Sequence, residues 1–175
     1  ASVDKTTVKI TGCGGKLTKK SATINVGSAG TAARFLPAFL AFQNGEYSLD
    51  CSEQMKRRPI APLVSALESV GAKFTFLEKE NSYPFIIRGT ATPTTGVEVD
   101  VTESSQFLSA LIISAVCADS PFTVTPRGAH GLEYVKMTVK MAAEFGVKVD
   151  ENSGKYTVNG AYSAREYRIE PDVSA

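Results

Sequence analysis

The sequence predicts an α/β protein built by duplication, with apolar helices inside and sheets outside. Three observations carry this. The chain matches itself: Phe35, Leu36, Ala38, Phe39, Leu40 and Ala41 fall on Phe107, Leu108, Ala110, Leu111, Ile112 and Ile113, 72 residues later. In each copy a short helix that is apolar nearly all round precedes an amphipathic one, so the first belongs at the centre. Each amphipathic helix ends at a glycine and is followed by alternating segments of strand character.

The elements follow in order. Segments around Val8 and Ile24 read as two strands and as the tail of a preceding partial unit, 1–27. The first full unit covers about 28–89 and the second about 97–160. The first apolar helices span 31–42 and 106–117, each followed by a strand, 46–51 and 122–125. Beyond a three-residue insertion the offset becomes 75, which matches Tyr47 and Leu49 to Phe122 and Val124. Apolar positions at helical spacing then recur: Ile60, Leu63, Val64 and Leu67 against Val135, Thr138, Val139 and Ala142, closed by Gly71 and Gly146. Strands at 73–77 and 85–88, and at 148–150 and 156–159, close the units. Val97, Val99 and Val101 alternate and lead into the second unit, after a Pro/Thr-rich connector at 89–96. A period this long marks a duplicated supersecondary unit and not a solenoid. One domain is expected over 1–175.

The 175 residues suffice for a substantial core, and 43% hydrophobic with 21% charged is ordinary for a globular chain. A formal net charge of +1 gives no bulk attraction to nucleic acid or a membrane surface. No apolar stretch reaches the roughly 20 residues of a membrane span, and residues 1–10 show no signal peptide. Cys13, Cys51 and Cys117 lack any CxxC spacing, and the lone His130 cannot complete a metal cluster. Reduced, mostly buried thiols in a cytoplasmic protein are expected.

Anion binding must therefore be local, and three places invite it. In NVGSAGTAARFL, residues 25–36, small residues Ser28, Ala29, Gly30 and Thr31 open a helix in which Arg34 faces burial. A buried guanidinium needs an anionic or carbonyl partner, from the protein or from a ligand. The repeat mate of this helix start is Ser104-Ser105-Gln106. Helix N-termini offer unpaired N–H groups to anions, although Ser28, Ser104 and Ser105 equally suit simple N-caps. In QMKRRPI, residues 54–60, Lys56, Arg57 and Arg58 stand before a helix start, where the macrodipole favours carboxylates; Pro59 suits its first turn. The second unit has Glu133–Tyr134 where the first has Arg58–Pro59. His130 reads as a surface or capping histidine. No nucleophile–base pair, P-loop or dinucleotide fingerprint stands out.

GSAGTAARFL, QMKRRPIAPLVSALESVGA and ESSQFLSALIISA, in this order and spacing, resemble the 5-enolpyruvylshikimate-3-phosphate synthase family of enolpyruvyl transferases. The resemblance spans nearly the whole chain. It implies two domains, each of three βαβαββ units with central parallel helices and outer sheets, of which this chain corresponds to most of one. It implies transfer of the enolpyruvyl group from phosphoenolpyruvate to the 5-hydroxyl of shikimate 3-phosphate, in the shikimate pathway, with no metal or organic cofactor. By the same resemblance Ser104, Ser105, Gln106 and Tyr134 contact shikimate 3-phosphate. Gly30, Arg58 and Gln106 contact phosphoenolpyruvate, with Thr31 and Arg34 in support. No catalytic acid or base is expected in this chain; the resemblance places those groups in the second domain, its main partner. A monomer is expected. Gly131 and Phe35 depart from the family pattern, which often has serine and commonly proline there. Alternatives are a related transferase acting on a UDP-sugar, against which SSQF and the lack of a reactive cysteine loop speak, and a non-catalytic anion-binding domain on the same scaffold.

Overall fold

The computed structural model describes residues 2–4 and 6–170. The first elements are β1 (Ser2–Val3), β2 (Val8–Lys9) and β3 (Ser21–Asn25). The first unit continues with α1 (Gly30–Ala41), β4 (Glu46–Asp50), α2 (Glu53–Lys56), α3 (Ala61–Val70), β5 (Lys73–Phe76) and β6 (Phe85–Arg88). The second comprises β7 (Gly96–Asp100), α4 (Gln106–Ser114) with a 3-10 turn at Ala115–Cys117, β8 (Phe122–Arg127), α5 (Leu132–Glu144), β9 (Lys148–Asn152) and β10 (Lys155–Asn159).

The two sheets have the same topology. β3 lies parallel to β4, β4 antiparallel to β6 and β6 antiparallel to β5; β7, β8, β10 and β9 repeat that order and those senses. The antiparallel pairing of the second strand is alike in the two sheets. Tyr47 and Leu49 pair with Ile87 and Phe85, and Phe122 and Val124 pair with Val158 and Tyr156, all on the buried side. One expectation is corrected: the strand around Ile24 is not the tail of a preceding unit but the opening strand of the first sheet, through its parallel ladder with β4. The offset of 72 is also corrected. α1 and α4 begin 76 residues apart, so the apolar match sits four residues out, close to one helical turn, and keeps the same face.

Helix ends follow local chemistry. At Gly71 the N–H bonds the Glu68 carbonyl while Ala72 N–H reaches back to Leu67; Gly146 and Val147 repeat this toward Ala143 and Ala142. Both glycines have positive φ, 117° and 88°, as this termination requires. α3 starts at Ala61 with Pro62 in its first turn, so Pro59 lies outside it.

The core lies between the sheets. α1 and α4 pack directly on each other, α3 packs on β7, and α5 packs on α4. α4 buries Phe107 through Ile112 without interruption, as a helix apolar on every face must. α1 is only partly so enclosed, since Phe35, Leu36 and Phe39 remain half-buried. On α5, Met137 and Met141 are exposed and form an apolar groove with Phe145 and Tyr162. Among the described residues no helix is long and apolar enough to cross a membrane.

Candidate functional site

Both apolar helices start from an Asx turn at the end of the preceding strand. Asn25 Oδ1 accepts from Gly27 N–H at 2.8 Å, and Asp100 Oδ1 accepts from Thr102 N–H at 2.9 Å and Thr102 Oγ1 at 2.6 Å. These hydrogen bonds and Arg127 hold the Asp100 carboxyl below the usual carboxylate range. The β3–β4 ladder then runs on into the loops, with Val26 N–H bonded to Asp50 and Ser52 N–H to Gly27. Ser28 and Ser52 join by their hydroxyls at 2.9 Å. Ser28 is therefore no N-cap. Ala29 occupies that position of α1, and neither it nor Ser105 of α4 supplies a side-chain cap. Ser104 Oγ accepts from Gln106 N–H at 3.3 Å.

Ser52 also starts α2, a four-residue helix in the segment that the sequence placed only as lying before a helix start. Its presence resolves part of the charge conflict. Lys56 lies in the last turn of α2 and Arg57 caps it, at the end where cations are favoured. Lys56 bridges Glu53 and Glu78, which raise its pKa. Arg57 is exposed. Arg58 is exposed as well, and its guanidinium reaches Gly30.

A methyl group built on Gly30 would lie 3.2 Å from Nη1 of both Arg34 and Arg58 and 3.5 Å from Met55 Cε. Two guanidinium groups thus converge on one glycine, and among the described residues neither has a carboxylate partner. Arg34 is 6% exposed; its Nη1 donates to Gly30 O at 3.1 Å, and its buried Nε has no partner. Burial first, and then repulsion by Arg58, lower its pKa. The partner that a buried Arg34 requires is thus supplied only in part by the protein, through a carbonyl.

Arg34 also lies over the Phe107 ring, 5.8 Å from its centroid, so the start of α4 sits beside the start of α1. There Ser105 is buried, and Ser104 and Gln106 are half-buried. Gly131, the N-cap of α5, has φ of 63°, and a Cβ on it would meet Ser105 Oγ at 2.7 Å. The same Cβ would lie 3.6 Å from Tyr134, so Ser105, Gly131 and the exposed Tyr134 form one group. The glycine at 131 is thereby explained: a side chain there would strain the backbone and displace Ser105. Thr31 is exposed in the first turn of α1, and His130 is exposed in the loop before α5. Two thiols correct the expectation of mostly buried cysteines, since Cys13 is exposed and Cys117 only half-buried. Cys51 is buried just past β4, and burial chiefly pushes its thiol up to about 11.

The EPSP synthase (3-phosphoshikimate 1-carboxyvinyltransferase) family model matches residues 1–175. The chain belongs to the EPSP synthase family. It is 38% identical over 171 residues to 3-phosphoshikimate 1-carboxyvinyltransferase of Trichormus variabilis, covering 95% of this chain and 40% of that relative. The enzyme of the same name from Photobacterium damsela subsp. piscicida is 38% identical over 180 residues, covering 99% and 42%. EPSP synthase from Acinetobacter baumannii shares the fold, with a TM-score of 0.68, 21% identity, and coverage of 81% of this chain and 32% of that one. The chain thus spans about two fifths of the relatives it matches. Asn25, Asp100 and α2 were missed from the sequence. The signals were present: an Asx residue repeated 75 positions apart, and Ser52 followed by Glu53, a helix-start pattern.

Proposed function

We propose that this chain supplies the anion-holding part of an enolpyruvyl transferase site, where phosphoenolpyruvate reacts with the 5-hydroxyl of shikimate 3-phosphate and phosphate leaves. One observation carries the reading: Arg34 and Arg58, without carboxylate partners among the described residues, converge on Gly30 at the start of α1, which lacks a side-chain cap. Such a site is electrostatically incomplete until an anion enters.

Arg58 and the N–H groups at the start of α1 hold the charged groups of phosphoenolpyruvate, and Gly30 lets them approach the backbone closely. Arg34 and Thr31 brace that turn. Ser104 and Ser105 donate to the phosphate of shikimate 3-phosphate, Tyr134 covers its ring, and Gln106 stands between the two substrates. The chemical contribution is neutralisation and alignment, which bring the hydroxyl and the enolpyruvyl carbon together. None of these groups is a general acid or base. Proton transfer is assigned to the second domain of the full-length protein, which we propose works as a cytoplasmic monomer without metal or organic cofactor. A UDP-sugar transferase reading gains nothing from the buried, inert Cys51.

The test is phosphate release by the full-length protein, with phosphoenolpyruvate as donor and either shikimate 3-phosphate or a UDP-N-acetyl sugar as acceptor. Release that depends on shikimate 3-phosphate is expected. Release only with the UDP-sugar, or none with either acceptor, would contradict the assignment.

A further inference from the structure

Helix α1 carries Pro37 in its interior. Proline has no backbone N–H, so the carbonyl four residues earlier, that of Ala33, loses its helical donor. Ala33 is 1% exposed, which leaves that carbonyl without access to water. The missing donor comes from the strand side of the unit: the Tyr83 hydroxyl donates to Ala33 O at 2.7 Å, across 50 residues of sequence. Tyr83 is itself buried, and its ring packs on Phe85 with centroids 4.5 Å apart. The hydrogen bond lands on the residue directly before Arg34, and Tyr83 lines the same small pocket as Arg34, Met55 and Arg58.

We propose that Tyr83 is a positioning residue of the phosphoenolpyruvate subsite. Its hydroxyl stands in for the N–H that Pro37 removes, and so fixes the opening turns of α1, with Gly30 and Arg34, against Arg58. The proposal rests on the reading of Gly30 and Arg58 given above. The geometry makes such a clamp necessary. Before an anion binds, Arg34 and Arg58 repel each other, and the turn that carries Arg34 would open if the Ala33 carbonyl beside it were left buried and unpaired. Tyr83 connects this turn to the loop that enters β6. Burial, and to a lesser degree Cys51, push its phenol well above the usual tyrosine range, so it remains a donor at any working pH.

The test uses the full-length protein and four variants: Tyr83→Phe, Pro37→Ala, the two combined, and Arg58→Ala. KM for each substrate, kcat and the thermal midpoint are measured for all. Tyr83→Phe is expected to raise KM for phosphoenolpyruvate about five- to tenfold, the worth of one hydrogen bond, and KM for shikimate 3-phosphate by less than about twofold. In the Pro37→Ala background an amide donor for Ala33 is restored, so adding Tyr83→Phe should change KM for phosphoenolpyruvate by less than about twofold. That comparison carries the test even where Tyr83→Phe alone does not accumulate as folded protein. Unchanged KM for phosphoenolpyruvate in Tyr83→Phe, with a large rise in Arg58→Ala, would overturn the role of Tyr83 while leaving the subsite standing. An equal rise for both substrates with a lowered midpoint and no rescue would overturn it too, as ordinary core damage. No effect of Arg58→Ala would remove the subsite reading, and the proposal with it.

Discussion

Arg34 carries the proposal at the scale of a single residue. A 6% exposed guanidinium whose protein partner is one carbonyl, whose Nε is unpaired, and whose nearest charged neighbour is another arginine is costly by itself. Sequence reasoning reached the conflict, because an arginine heading an apolar helix is visible in the letters. It could not decide between a protein partner and a ligand, since that depends on where Arg58 points. Ser105 stands at the helix start of the second unit: buried, uncapping, and close to Gly131. Ser105→Ala in the full-length protein should weaken shikimate 3-phosphate by about 1.5–3 kcal/mol, the worth of a hydrogen bond to a charged group. Calorimetric titration measures this directly, and an unchanged affinity would remove Ser105 from the phosphate contacts.

Among the elements, those with strong periodicity were legible and those set by short-range polar chemistry were not. α3, α5 and the hairpins β5–β6 and β9–β10 lie where apolar spacing and terminal glycines put them. β3 was misassigned to another unit because strand pairing is not encoded locally, only through register with β4. α2 was missed because four residues carry no period. The Asx turn at Asp100 leads into the Ser104–Gln106 helix start, and its ionisation couples to stability. The carboxyl is held below its usual range by Thr102 first and Arg127 last, so its folded pKa lies under the unfolded value of about 3.9. Its contribution is therefore complete above that value and is lost as pH falls through the folded pKa. Asp100→Asn should lower the thermal midpoint at neutral pH, and the difference from the parent should shrink below about pH 4. A difference that stays constant down to pH 2 would contradict this account.

At the scale of the molecule, the repeated topology sets two apolar helix starts side by side, the two places that we propose hold anions. Each unit ends its first strand in an Asx turn, opens an apolar helix, and sets the segment after its second strand against that opening. In the first unit that segment delivers Arg58; in the second it delivers Gly131, with Tyr134 in the first turn of α5. One half is cationic and the other hydroxyl-rich, and they meet where Arg34 covers Phe107. The central claim is that these halves form a single two-substrate site. A crystal structure of the full-length protein with shikimate 3-phosphate and inorganic phosphate tests it most directly. The account predicts the sugar phosphate on Ser104 and Ser105, and the free anion on Arg58 at the α1 start beside Gly30. Shikimate 3-phosphate bound away from Ser105, or Arg58 turned from the cleft that holds it, would contradict the claim.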